Sequence, residues 1–519
     1  MKKNIKLLFV ITITLAFGVK ASAQGMYDAY KFSQQFSEGT ARSVAMGNAF
    51  VALGGDLGAI SINPASSGVY RFSELVVTPS LTISNSNVNY LGNNITDNKT
   101  RFGVANFGYV GSFKTGRENN GLINWNIALT FNRVNNYTNR MSASGRTSNS
   151  SWLSSLAQRT NGIHATNMDL NEYNNPYDRV PWTSVLAWNT SLLDTLPDSG
   201  KDYYGATENI TGYDINVGGE LDQRYTREST GNVSEAVINF GGNISNKLFF
   251  GINLGIQSIW YKNSETYSET AVNSSNFQSG FEHFSHRYST HTSGTGINLK
   301  FGLIYLPIAG LRVGASISTP TWMYLHDEWE ESMSTQLSDG YKQNLTSPLG
   351  TYNYRLSTPF RWNIGAAYTF GKIGALSVDY ENANYSQMKM KDPDYPNQFN
   401  DTNSDIKRAF KSSNILRAGA EIRITPEFAL RAGYQYYSSG EKANINGTNM
   451  NTNSAIQYGS LGIGYVSQSG FFADIAYQQQ LKKIEESFAL YDDVTGSAAP
   501  IGINKWNNFK LLLSVGIRF

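Results

Sequence analysis

LINWNIALTFN, residues 122–132, alternates with a period of two: Ile123, Trp125, Ile127, Leu129 and Phe131 stand against Asn124, Asn126, Ala128, Thr130 and Asn132. Such spacing lines one face of a strand with apolar side chains and the other with small or polar ones, whereas a helix would scatter the same residues round its circumference. Leu248, Phe250, Ile252, Leu254 and Ile256 repeat the pattern against Gly251, Asn253, Gly255 and Gln257. Outward from these two, comparable segments lie at 72–85, 101–113, 234–243, 289–306, 311–319, 359–370, 374–381, 415–424, 428–437, 457–467, 471–479 and 506–519. The total, about fourteen, is even, as single-chain bacterial barrels require. Tight connections (245–246, 307–310, 371–373, 425–427, 468–470) fall between long ones, matching short periplasmic turns against longer extracellular loops. The expected fold is all-β: a transmembrane antiparallel β-barrel with apolar side chains facing lipid.

Composition agrees with that reading. Only 16% of the 519 residues are charged, against roughly 25% in ordinary soluble domains, and 48 Gly and 31 Tyr accompany abundant Asn, Ser and Thr. Cysteine is absent, which excludes disulfides, thiolate metal sites and cysteine nucleophiles. Lys2, Lys3 and Lys6 precede the apolar run 7–17, and Ala21-Ser22-Ala23 offers small residues before Gln24, so residues 1–23 read as an export signal cut near Ala23. Removing the four lysines of that segment (Lys20 is the fourth) from 42 basic residues leaves 38 against 40 acidic ones. No clustered basic patch points to nucleic acid. An exported chain without a later apolar run of about 18 residues resides in a membrane only as a closed barrel, here the outer membrane, surrounded by its lipid. The alternating end LLLSVGIRF, residues 511–519, closes on an aromatic residue and resembles the signature read by the barrel assembly machinery.

Residues 24–71 do not alternate. Their glycines and the Asn63-Pro64 turn permit a compact plug in the lumen, and composition equally permits a periplasmic tail. Gly39-x-Ala41-Arg42-Ser43, Met46-Gly47-Asn48-Ala49, the stretch 52–56 with Gly54, Gly55 and Asp56, and Asn63-Pro64-Ala65 follow an export signal and precede a strand ladder ending in Phe. In that setting they resemble the N-terminal hatch of FadL-type outer-membrane transporters of long-chain fatty acids and other hydrophobic compounds, including toluene and xylene channels. The sequence match is confined to 39–65, and the plan covers the whole chain. The resemblance implies a fourteen-stranded barrel plugged by 24–71, with the barrel itself over 72–519. It also implies energy-independent diffusion: capture outside, passage past the hatch and lateral exit through the wall at an inward kink of the third strand. Segment 122–132 contains neither Gly nor Pro to mark such a kink.

The connection 133–233 is too long for an unstructured loop and is the expected capture site. Pro181 starts a helix on which Trp182, Val185, Leu186 and Leu193 share a face, and Trp152, Leu153, Leu156 and Ala157 form a second apolar cluster. The two faces either enclose a groove for a hydrophobic small molecule or pack on each other as a lid core. Strand parity sends Arg312, Arg361, Asp379, Glu381, Arg417, Glu421, Arg423 and Arg431 into the lumen, as a ladder clamping the hatch or, for an Arg, as a partner for a ligand carboxylate. His283, His286 and His291 lie near an extracellular loop without the tight spacing of a metal or haem site. No cofactor is implied. The chain lacks a Gly-x-Ser-x-Gly elbow with a matching His, which argues against an enzyme. A hydrophilic porin and a surface adhesin remain as alternatives, the second because 320–358 and 441–456 read as further long loops.

Overall fold

A computed structural model describes residues 25–519 apart from 172–174, 198, 443, 446–447, 450–454 and 492–498. The expected export signal, 1–23, lies outside the described residues. Fourteen strands form the barrel: β1 (Glu74–Tyr90), β2 (Asn93–Lys114), β3 (Leu122–Asn136), β4 (Leu221–Ile244), β5 (Leu248–Ala271), β6 (Phe281–Ile308), β7 (Leu311–Ser318), β8 (Arg361–Thr369), β9 (Gly374–Asn384), β10 (Ser412–Arg423), β11 (Phe428–Tyr437), β12 (Ile456–Val466), β13 (Phe471–Gln480) and β14 (Ile501–Arg518). Each pairs antiparallel with its neighbour, and β1 pairs with β14 from Glu74–Arg518 to Asn89–Ile503, so the sheet closes. Every strand corresponds to an alternating segment of the sequence. The tight turns fall where expected; Ser245 and Asn246 both take a left-handed φ near +55°, the geometry that joins twisted antiparallel strands across two residues.

The outside of the wall is apolar. On β6 the outward residues Ile297, Leu299, Phe301, Leu303 and Tyr305 are exposed, as are Ile127, Leu129 and Phe131 on β3. Such a belt round a closed sheet has no aqueous rationale and is the surface lipid covers. No helix among the described residues is long and apolar enough to cross a membrane.

Above the belt the strands run on further than alternation indicates, because their outer portions face water or loop residues on both sides and lose the apolar period. β1 and β2 meet in a hairpin at Leu91-Gly92, and β4 and β5 are 24 residues each. The expected loop 133–233 therefore shrinks to 137–220, and the expected loop 320–358 is mostly strand: Trp322–Leu337, Lys342–Thr346 and Gly350–Ser357 extend the wall outward beside β6.

Candidate functional site

The N-terminal segment runs through the lumen, and the polar face of the wall holds it there. Asn124 donates to the Tyr70 carbonyl at 2.8 Å, Asn126 to the Ser67 carbonyl, Asn239 to Pro64 at 3.1 Å and Asn253 to Ile60 at 2.7 Å. The polar half of the alternation at 122–132 thus binds a plug rather than water. A short helix, α2 (Ala41–Ala45), starts at Thr40, whose hydroxyl caps Ser43 N–H and donates to Asp56. Asn63 bonds the carbonyls of Val51 (2.6 Å) and Leu303 (3.2 Å) while accepting from Ala65 N–H, so Asn63-Pro64-Ala65 is a turn stapled to the wall. Inward-facing glycines of the strands make room. A Cβ on Gly251 would strike Pro64 O, on Gly302 Asn63 Oδ1, on Gly314 Val51 O, and on Gly419 Met46 O. Gly47, at φ +63° beside Asn48, lies against the backbone of Ala418 and Tyr434, where no side chain fits. Gly39 is packed likewise on Ser43, and Gly54 and Gly55, also left-handed, sit against Val69.

Charged residues finish the clamp. Glu421 accepts from Arg42 at 3.0 Å and from Arg431 at 2.6 Å, and Arg431 reaches Asp474 at 2.5 Å. Arg312 donates to the Leu53 carbonyl and Asp379 accepts from Val51 N–H at 2.8 Å. Glu381 bridges Arg361 (2.7 Å) and Arg417 (2.6 Å). Arg423 does not join them: at the short-turn end of β10 it is exposed, because parity fixes a face and not a height. Lys300–Glu235 (2.7 Å) and Glu38 with Arg133 (3.1 Å) and Lys510 (2.8 Å) complete the network. Sequence reading passes these over, although Glu235 and Lys300 have lumen parity like the rest.

Above the clamp is a small chamber of about 40 Å³, lined by Glu235, Lys300, Arg361, Glu381, Arg417 and Tyr437 and by Val134 of β3. In this conformation its size suits a few waters rather than an organic solute. Arg417 uses only Nη2 on Glu381; its buried Nε and Nη1 have no hydrogen-bond partner among the described residues. Higher still, the lumen is apolar and occupied by the chain itself. Helix α1 (Met26–Ser33) packs Ala29 and Phe32 among Tyr137, Tyr261, Leu325, Tyr354, Met388 and Phe410.

The wall parts beside this chamber. The β2–β3 ladder ends at Asn106–Asn132, while β3 continues with β4 through a bulge between Arg133 and Asn135. From Asn132 to Asn135 every β3 residue is buried, and its backbone turns to the plug: Arg133 O accepts from Glu38 N–H at 2.8 Å and Val134 O from Phe36 N–H at 2.9 Å. This is an inward bend made without Gly or Pro. Its signal in the sequence is a broken alternation, since continued parity would turn Arg133 to lipid. Across the gap side chains make the bridges: Asn106 donates to the Asn132 side chain at 2.7 Å, and Arg101 donates to the Gly231 carbonyl and to the Asn232 side chain at 2.7 Å each.

The six capture-loop residues come together, but inside a domain. Helix α3 (Trp152–Thr160) and helix α4 (Trp182–Asn189) pack with Trp152, Leu156, Val185, Leu186 and Leu193 buried against the barrel rim at Tyr267, Phe281, Phe284 and Met333, and Trp182 partly buried beside them. Leu193 lies beyond α4, which stops at Asn189 before a left-handed Ser191, so it is not on the helical face. The faces form a packed core in this structure.

Glu269 latches that domain to β5, well above the last outward apolar residue of the strand, Trp260. It accepts from Ser151 Oγ (2.6 Å), Trp152 N–H (2.9 Å), Gln223 (2.8 Å) and Tyr267 OH (2.6 Å). Burial pushes its carboxyl above the ordinary value despite those donors. A carboxyl raised by folding stabilises the protonated form, so the latch is firmest below the ordinary glutamate range and weakens as pH rises through the raised value. Limited proteolysis of the loop domain between pH 4 and 8 should show this trend. Glu269→Gln should abolish it while keeping the domain closed. Glu269→Ala strands four donors, each costing about 1–3 kcal/mol, and should open the domain at every pH.

His286 pairs with Glu331 and His291 with Glu328, each at 3.1 Å, while His283 meets Thr270. The three histidines are not convergent, and no metal-competent group occurs among the described residues.

The barrel, its lumen segment and its strand order can be set beside solved structures. The toluene transporter TodX of P. putida superposes with a TM-score of 0.51 over 93% of this chain and 99% of its own, at 14% identity. The fold is that of TodX. A Pseudomonas aeruginosa FadL homologue matches equally well, with a TM-score of 0.51 over 93% and 98% of the two chains at 12% identity. No protein-family model and no curated protein match the sequence.

Proposed function

We propose that the chain is an outer-membrane channel for energy-independent uptake of hydrophobic compounds, with long-chain fatty acids as the leading substrate. The observation that carries this reading is the parted wall: the β2–β3 ladder breaks off beside the exposed apolar Phe102 and Val104, while below it the N-terminal segment packs Leu57, Ile60 and Tyr70 against the inner face of the strands. A solute leaving there must be at home in hydrocarbon. The shared fold with TodX, a toluene transporter, and with a FadL homologue supports the same class of solute. An apolar compartment stands above the chamber, filled by α1, and the partly unpartnered Arg417 lines the chamber beneath it, an arrangement suited to an acyl chain above and a carboxylate below. Movement of α1 and of the Arg133–Glu38 contact is then part of passage, and the loop domain must open for capture from outside. Export and insertion rest on residues 1–23 and the terminal Phe519, which closes the barrel against Ser73.

The charged chamber lining favours a second reading, a gated hydrophilic pore. Cells lacking their own fatty acid transporter separate the two. Expression of this chain should give uptake of a labelled long-chain fatty acid and none of a small sugar. Sugar entry without fatty acid uptake would establish the pore instead.

A further inference from the structure

Outside the lumen, one patch of the wall combines features that neither the channel nor the plug uses. Strand Gly350–Ser357 lies between Trp322–Leu337 and the short strand Lys389–Lys391, and the register places Arg355 directly opposite Lys391 and Ser357 opposite Lys389. Alternation turns Met323, Leu356 and Met390 into the core, so Arg355, Lys389 and Lys391 share the outward face with Trp322 and Tyr324. These five residues line one cleft of about 520 Å³.

Two like charges directly opposite on paired strands are destabilising unless something lies between them. None of the three cations has an ion pair or hydrogen bond among the described residues. The nearest outward acid on these strands, Glu328, is engaged by His291 and His326, and Asp392 accepts from Tyr352. Height fixes the partner. Trp322 pairs with Ile297, the outermost residue of the apolar belt on β6, and Tyr324 and Arg355 lie one step further out. Aromatic rings at the edge of hydrocarbon with cations immediately beyond stand where the phosphates of the outer leaflet lie.

We propose that Arg355, Lys389 and Lys391 bind the phosphorylated headgroup of an outer-leaflet lipid, with Trp322 and Tyr324 seating the top of its acyl chains. The guanidinium and two ammonium groups face an anion of charge comparable to their own, which relieves the Arg355–Lys391 opposition. The inference rests on outer-membrane residence but not on what the channel carries.

The test uses the whole protein refolded in neutral detergent and titrated with bis-phosphorylated lipid A, its dephosphorylated form or inorganic phosphate, with bound lipid counted by native mass spectrometry. The phosphorylated lipid should bind and the other two should not. Arg355→Ser with Lys389→Ser and Lys391→Ser should weaken binding on the order of a hundredfold at low salt, at roughly fivefold per cation. Lys372→Ser, in the periplasmic turn, should change nothing. Equal binding of phosphorylated and dephosphorylated lipid, equal binding by the triple variant, or a response to inorganic phosphate alone would each overturn the proposal. A protein that folds without detergent would sink membrane residence itself, which separates the two failures.

Discussion

Valine substituted for Gly302 and Gly419 together should turn the closed barrel into an open pore. A Cβ at the first position would fall on Asn63 Oδ1 and one at the second on Met46 O, both inside any tolerable contact distance. Gly302 is paired on both sides within β5–β6–β7 and Gly419 within β9–β10–β11, so the wall has nowhere to go. The plug, held by side-chain and backbone bonds without a continuous ladder, is the part that yields. Overpacking costs about 1–3 kcal/mol per site even where relaxation is possible, and here two rigid walls leave little room for it. The barrel should keep its strand content and its resistance to unfolding in detergent. Ion conductance in planar bilayers and sugar entry into vesicles should both rise several-fold over the wild type. Closed bilayers with this double variant would mean that the plug does not make the seal.

The second large effect comes from a single carboxylate. Glu381→Ala removes the anion shared by Arg361 and Arg417, leaving two guanidinium groups in a site where both are more than nine-tenths buried. Breaking a buried pair costs about 3–5 kcal/mol, most of it the desolvation of the charge left behind. Unfolding of the variant in denaturant should shift to markedly lower concentration. A micellar long-chain carboxylate should restore much of the loss, and the corresponding long-chain alcohol should not. Equal rescue by both would assign the effect to the acyl chain and remove Arg417 as a headgroup partner.

What the sequence discloses follows from what alternation measures. Every membrane-crossing strand is legible because lipid on one side and plug or polar lumen on the other impose a strict two-residue period. Above the membrane that asymmetry ends, so Leu221–Val233 and Trp322–Leu337 read as loop although both are strand. The lumen charges are legible by face. Arg423 fails because a strand outruns the lumen, and Lys300, Glu235 and Asp474 escape notice although the same rule reaches them. The bend of β3 is hidden from a reading that looks for Gly and Pro, because bonds from Phe36 and Glu38 make it. In the loop domain, helical periodicity finds apolar faces but not their partners: the barrel rim at Phe281, Phe284 and Met333 covers what a sequence leaves blank.

The gap between β2 and β3 has a thermodynamic consequence. It lies beside Phe102 and Val104, exposed apolar residues of the outward belt. Under the proposed function, a solute leaving by this gap would be delivered to hydrocarbon and would still have to cross to the periplasm. The driving force for such a step is a partition coefficient: the bilayer acts as a reservoir whose capacity grows with each methylene of the cargo, by about 0.8 kcal/mol. Accumulation would then need neither an ion gradient nor a binding protein at the exit, and selectivity would come partly from the membrane as a solvent.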